Sequence, residues 1–309
     1  MAAVPLKGPH RTGTYLQKMD MRIGLFRRNY LVHIPEGYDG LQELPLVLVV
    51  HGAFGTGRGM EKESGFSRLG DKAHLIVVYP QGMGLFDWLR HWNSGHCCGR
   101  ARKKGVDDVA FLKAVIEEVW TRFGVDRTRV YMVGHSNGGM MTHRFAAQHP
   151  EMIAAAAVVS GTIGGKPSYQ EPEWRIPVPV HPVPMMVVHG KADKNVSYAG
   201  GPHPRYENGL TMLSVSESVR FWIQSNGANP EPQVALLRQE RIVRERWTGA
   251  RNESEVVLYS IEGWGHDWPG LYFTSELVGD PLQGFDVAAV IWSFFEKHQR
   301  TFPYTDKQN

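Results

Sequence analysis

The stretch Arg129-Val-Tyr-Met-Val-Gly-His-Ser-Asn-Gly-Gly-Met-Met-Thr-His143 contains a short β-branched apolar run, the pentad Gly134-His-Ser-Asn-Gly138, and then residues compatible with a helix. A G-x-S-x-G match alone carries little information, because glycine and serine are common in turns. Set between an apolar strand and a helix, it has a specific reading. The small residues at 134 and 138 permit a tight strand-to-helix turn that forces Ser136 into a strained, exposed position with its hydroxyl at the helix N-terminus.

Outward from this turn, further apolar runs read as buried parallel strands: Tyr30–Ile34, Leu46–Val50, Leu75–Tyr79, Val130–Val133, Ala155–Val159, Met185–Val188 and Val256–Tyr259. Val109–Phe123, Leu213–Gln224 and Phe285–His298 have helical spacing, and Asp107 and Asp108 suit the cap and first turn of the first of these. Strands alternating with helices predict a doubly wound, mostly parallel sheet with helices on both faces, the α/β-hydrolase fold. The proline-rich piece from Lys166 to Pro184 could be a linker. It is read as a loop, because the same alternation continues beyond it. The expected organisation is an N-terminal extension over residues 1–20, one catalytic domain over 21–300 and a tail over 301–309.

A serine hydroxyl is a weak nucleophile at neutral pH, so a base must follow, and in this fold the acid lies between them in the chain. Asp193 follows the strand Met185–Val188 in His189-Gly-Lys-Ala-Asp193, and His266 follows Val256–Tyr259 in Gly263-Trp-Gly-His-Asp-Trp-Pro-Gly270. The order Ser136, Asp193, His266 is the one required. Asp267 is a poorer acid, being the neighbour of the imidazole it would have to bond, and Glu262 is the reserve. The oxyanion of a tetrahedral intermediate needs two backbone donors. Asn137, directly after the nucleophile, supplies one; Ala53, in the glycine-rich loop His51-Gly-Ala-Phe-Gly-Thr-Gly57, supplies the other, with Phe54 behind it.

The chain has 309 residues, 42% hydrophobic and 21% charged, with a net charge of +3, which is the composition of a globular protein with a large core. Its basic residues are dispersed apart from Arg100, Arg102, Lys103 and Lys104, with no basic stripe interleaved with aromatics, so no nucleic-acid partner is expected. No run has the length of a membrane span, and the first ten residues lack the apolar core of an export signal. A soluble, cytoplasmic protein is expected from the chain as given, with secretion left open if the N-terminus was trimmed. Cys97 and Cys98, the two cysteines, are adjacent: they are either ordinary thiols or a vicinal disulfide, and their spacing does not suit a metal. Neither metal nor organic cofactor is expected.

Five segments in order, HGAFGTG (51–57), WNSGHCCG (92–99) followed by VDDVAFL (106–112), GHSNGGMM (134–141), GKADKNVSYAGG (190–201) and GWGHDWPG (263–270), resemble the polyhydroxybutyrate-depolymerase-like esterases, a group similar to feruloyl and acetylxylan esterases. The resemblance spans residues 25–300. It implies an α/β-hydrolase that hydrolyses carboxylic esters through an acyl-enzyme, with Ser136, Asp193 and His266 as triad and with Trp92, Trp264 and Trp268 close to the site. Ala53-Phe54 stands where a cysteine-containing version is common in the group. The lack of an export signal and of any appended polymer- or carbohydrate-binding module departs from the secreted members, so the family name does not transfer as the substrate. Phe54 and an aromatic wall of Trp88, Trp92, Trp264 and Trp268 would suit a sugar or phenolic ring, with core packing as the other reading of the tryptophans. Short acyl esters, hydroxyacid oligomers and feruloyl or acetyl sugar esters stay open as the small-molecule or oligomeric substrate. An acyltransferase or a silent binding module on the same scaffold are the alternatives.

Overall fold

Leu44–Val50 has no polar face and is buried at every position, which a strand achieves only when covered on both sides. In a computed structural model of the chain, which describes residues 11–23, 26–84, 89–270, 282 and 285–301, this segment lies inside a ten-stranded sheet.

In chain order the elements are β1 (Gly13–Ile23), β2 (Phe26–Ile34), β3 (Leu44–Val50), α1 (Gly57–Ser64), α2 (Phe66–Ala73), β4 (Ile76–Pro80), α3 (Gly99–Lys103), α4 (Asp108–Arg122), β5 (Val125–His135) and α5 (Asn137–Gln148). They continue with β6 (Ala155–Val159), β7 (Gly164–Gly165), β8 (Trp174–Arg175), β9 (Met185–Gly190), β10 (Gly201–Pro202), β11 (Thr211–Met212), α6 (Val215–Asn226), β12 (Gln233–Leu237), β13 (Ile242–Trp247), β14 (Val256–Ile261) and α7 (Val287–Phe295). The sheet order is β1-β2-β4-β3-β5-β6-β9-β14-β13-β12. From β4 to β14 the neighbours are parallel, and antiparallel strands flank this centre on both sides.

Alternation along the central strands divides the core in two. Leu46, Leu48, Met132, Val158 and Val187 face α4, α5 and α6, with Phe111, Phe145 and Trp222 packed against them. Val47, Val49, Val133, Ala157 and Val188 face α1, α2 and α7, with Phe66, Ile291 and Phe295. Each of the seven expected runs falls on a strand and each of the three helical patterns on a helix. Asp107 caps α4 by accepting from Ala110 N–H at 2.9 Å.

Three features differ from the sequence reading. Tyr30–Ile34, expected as a parallel strand, lies in β2, which is antiparallel to both β1 and β4, since a run of buried apolar residues does not encode strand direction. The expected boundary at residue 20 falls inside β1, which pairs with β2 in antiparallel register from Gly13 opposite Ile34 to Lys18 opposite Asn29 and resumes at Arg22. β12 and β13, which were not anticipated, extend the other edge. The proline-rich stretch is mostly irregular and contributes only β8, paired with β7.

Candidate active site

β5, β9 and β14 end on the same edge of the sheet, and the loops beyond their carboxyl ends carry Ser136, Asp193 and His266. Ser136 has φ 54° and ψ −122°, a conformation rare for a residue with a side chain. The glycines around it make this turn possible: a Cβ on Gly134 would collide with the Gly138 carbonyl, and one on Gly138 with the carbonyls of Val50 and His51. Ser136 N–H is held by the Val159 carbonyl at 2.9 Å.

His266 joins the other two side chains. Its Nδ1 lies 2.7 Å from Asp193 Oδ2, and its Nε2 lies 2.8 Å from Ser136 Oγ. A carboxylate only accepts, so Nδ1 carries the hydrogen and Nε2 is left to accept from the hydroxyl. Asp193 is buried, and its Oδ1 accepts from the N–H groups of Asn195 and Val196 at 2.8 and 2.9 Å. Burial alone would raise its pKa. Hydrogen bonds from His189, His266 and Val196 N–H outweigh burial and hold the carboxyl well below its usual range. Glu262 is exposed and ion-paired with Lys191, and Asp267 is exposed; neither approaches the imidazole.

A residue not singled out from the sequence holds the histidine loop. His135 Nε2 donates to the His266 carbonyl at 2.7 Å, with the two rings 5.2 Å apart. Burial, then the proximity of His266, pushes its pKa down to about 4, which keeps it neutral. Its only sequence signal is its place beside Ser136 in the pentad.

The loop after β3 is fixed just as firmly. His51 Nε2 accepts from Gly82 N–H at 3.0 Å, so its Nδ1–H donates to the Gly52 carbonyl at 2.7 Å. Phe54 N–H is committed to the Arg90 carbonyl at 2.8 Å, which leaves it no hydrogen for an oxyanion. Asn137 opens α5, where helical geometry leaves N–H groups without an intrahelical acceptor. Its side chain accepts from Trp92 N–H at 2.8 Å and donates to the Trp92 carbonyl at 3.1 Å.

A cavity of about 390 Å³ opens over Ser136 and His266. Ala53, Phe54 and Asn137 line it, whereas Trp92, Trp264 and Trp268 do not. The expected aromatic wall is therefore corrected. Trp92 is fully buried, stacks on Phe111 and donates its indole N–H to the His51 carbonyl at 2.8 Å. Trp264 closes its own loop by donating to the Asp267 carbonyl at 2.9 Å, and Trp268 packs between His135 and Phe66. These rings serve loop packing, which spacing cannot distinguish from ligand contact. Trp88 lies outside the described residues. The wall that does face the cavity is sulfur-rich: Met140, Met212 and the vicinal pair Cys97–Cys98, whose sulfur atoms are bonded to each other. Among the described residues no group of three or more His, Cys, Asp and Glu could hold a metal, and no helix is long and apolar enough to cross a membrane.

The family described as Esterase PHB depolymerase matches residues 28–170. The "Putative esterase NocK" of Nocardia uniformis subsp. tsuyamanensis is 30% identical over 256 residues, covering 79% of this chain and 71% of that protein. Feruloyl esterase B of Piromyces equi is 27% identical over 77% of this chain, which spans only 42% of that enzyme. Among solved structures, the acetyl xylan esterase from Aspergillus awamori aligns over 82% of this chain and 94% of its own, with a TM-score of 0.56 at 18% identity. That likeness is one of fold, the α/β-hydrolase fold. With 30% identity carried along most of a relative's length, and a family match that includes the Ser136 turn, the chain belongs to the PHB depolymerase esterases, a family of carboxylic ester hydrolases.

Proposed function

We propose that the protein hydrolyses carboxylic esters through an acyl-enzyme on Ser136, with His266 as general base and Asp193 as the acid that orients it. The observation that carries this reading is the pair of contacts on one imidazole, 2.8 Å to Ser136 Oγ and 2.7 Å to Asp193 Oδ2. As Oγ attacks the ester carbonyl, its proton passes to His266 Nε2. The oxyanion that forms is held by the Ala53 and Asn137 N–H groups. Collapse of the intermediate expels the alcohol, which takes the proton from Nε2, and leaves the acyl group on Oγ. Water then repeats the cycle: it gives a proton to Nε2, adds to the acyl carbon and releases the acid, and the proton returns to Oγ.

The ionised Asp193 supports this scheme, because it stabilises the imidazolium at each half-reaction. The substrate is an ester small enough, or extended enough, to reach Ser136 through the cavity mouth, and Phe54 and Tyr206 are the aromatic side chains at hand to contact it. The test is labelling with a fluorophosphonate probe followed by peptide mass spectrometry. The label is expected on Ser136 and absent from Ser136→Ala, and a label on another residue would overturn the assignment.

A further inference from the structure

The catalytic cavity carries an uneven set of charges. Apart from His266, the ionisable side chains on its wall are His203, Arg205 and Tyr206, and no carboxylate lines it. Asp193 is behind His266 and buried. A second pocket of about 400 Å³ adjoins it and shares Cys97, Cys98, Arg205 and Tyr206 as a common partition. Arg102 and Lys103 bring further positive charge to that pocket, against the single carboxylate Glu207 on its wall.

Arg102 is already engaged, its guanidinium paired with Glu171 and bonded to the Gly95 carbonyl at 2.9 Å. Arg205 is in a different position: it is exposed, and among the described residues its guanidinium has no carboxylate partner. Its backbone is set by an N–H bond to His203 Nδ1 at 3.2 Å. Burial first, then the charges of Arg205 and His266, lower the pKa of His203, so the three groups share one electrostatic neighbourhood. A neutral ester would leave the guanidinium without a counterpart. A carboxylate would receive charge-assisted, forked donation there.

We propose that Arg205 is a specificity-determining residue that selects esters bearing a carboxylate, on the acyl or the alcohol side, whose anionic end lies at the partition between the two pockets. This rests on ester hydrolysis at Ser136 and adds the substrate class.

The experiment compares kcat/KM within two matched pairs. Mono-4-nitrophenyl adipate against 4-nitrophenyl hexanoate puts the charge on the acyl side; 4-acetoxybenzoate against its methyl ester, read by release of acetate, puts it on the alcohol side. The quantity read is the anionic-to-neutral ratio, because it cancels intrinsic reactivity when variants are compared. In at least one pair this ratio is expected to fall by about five- to thirtyfold in Arg205→Ala, to fall further in Arg205→Glu and to be largely kept in Arg205→Lys. The preference should also shrink in about 0.5 M sodium chloride, since the group is exposed. The responding pair identifies the side of the ester that carries the charge. Ratios equal within about twofold across wild type, Arg205→Ala and Arg205→Glu in both pairs overturn the proposal, provided thermal midpoints show that all three are folded. Neutral-ester hydrolysis surviving in Ser136→Ala would instead overturn the underlying reading, so the two failures are separable.

Discussion

The floor and the rim of the catalytic cavity are built differently. On the floor, nearly every polar group has a named partner: His266 with Asp193 and Ser136, Asp193 with two backbone N–H groups, His51 with Gly52 and Gly82, and Asn137 with both polar atoms of the Trp92 backbone. On the rim, Arg205 projects a charge with no carboxylate partner among the described residues, and Phe54 is 54% exposed. On the proposed mechanism the floor is over-determined because charge develops there at fixed points, and preorganised donors lower the barrier only if they do not have to move. The rim meets substrates of varied shape and can leave its groups unsatisfied until one binds.

Breaking the floor should therefore cost most. Ser136→Ala and His266→Ala are each expected to lower kcat by more than about a thousandfold in a p-nitrophenyl ester assay, with the fold retained by circular dichroism. Rates near wild type in either variant would refute the triad. Asp193→Asn should lose about 10³- to 10⁴-fold, since an amide no longer enforces the Nδ1–H tautomer. Glu262→Gln, at an exposed ion pair, should lie within about twofold of wild type. If the order of those two is reversed, the acid is Glu262.

Asn137→Ala sharpens the comparison, because it keeps the backbone donor and removes only the side-chain ties to Trp92 and Ser94. Leaving the buried Trp92 N–H unpaired, while its carbonyl keeps the bond from Cys98 N–H, should cost about 1–3 kcal/mol in urea unfolding and a smaller, tens-fold loss in kcat. A wild-type unfolding midpoint would mean that the loop after residue 91 does not depend on this bond.

Away from the cavity the expected effect is on stability alone. His143 is fully buried, its Nδ1 accepting from Trp222 N–H at 3.1 Å, and burial pushes its pKa from 6.5 down to about 3. Between those values the unfolded chain binds the proton and the folded chain does not, so stability falls as pH drops through that window. His51 and His96, also pushed to about 3, and His135, pushed to about 4, add in the same direction. His143→Gln should remove one proton's share of the slope, about 1.4 kcal/mol per pH unit, from unfolding free energies measured between pH 6 and 4. An unchanged slope would show that His143 charges in the folded state.

The central strands were legible because a strand covered on both faces must be apolar throughout, and Val47–Val50 or Ala155–Val159 have few other ways to be satisfied. β1 and β13 were not, since one face of each meets water and GTYLQKMDMRI or IVRERW mixes polar with apolar residues. The three site side chains were legible because each follows its own strand and the first sits in a turn that few sequences can make. The tryptophans misled for the same reason that a ring explains itself in sequence: size and chemistry are visible, but the surface each one covers is not.

Taken alone, the order of residues determined the layered sheet, the turn at Ser136 and the identity of Asp193 and His266 as its partners, because local propensity and chain order constrain all three. Only tertiary structure decided that His135 steadies the histidine loop, that Trp92, Trp264 and Trp268 face inward, that Cys97–Cys98 forms part of the cavity wall, and that Arg205 stands at its edge with no carboxylate partner among the described residues. Those outcomes depend on which surfaces distant segments present to one another. A composition or a spacing does not contain that information until the chain has packed.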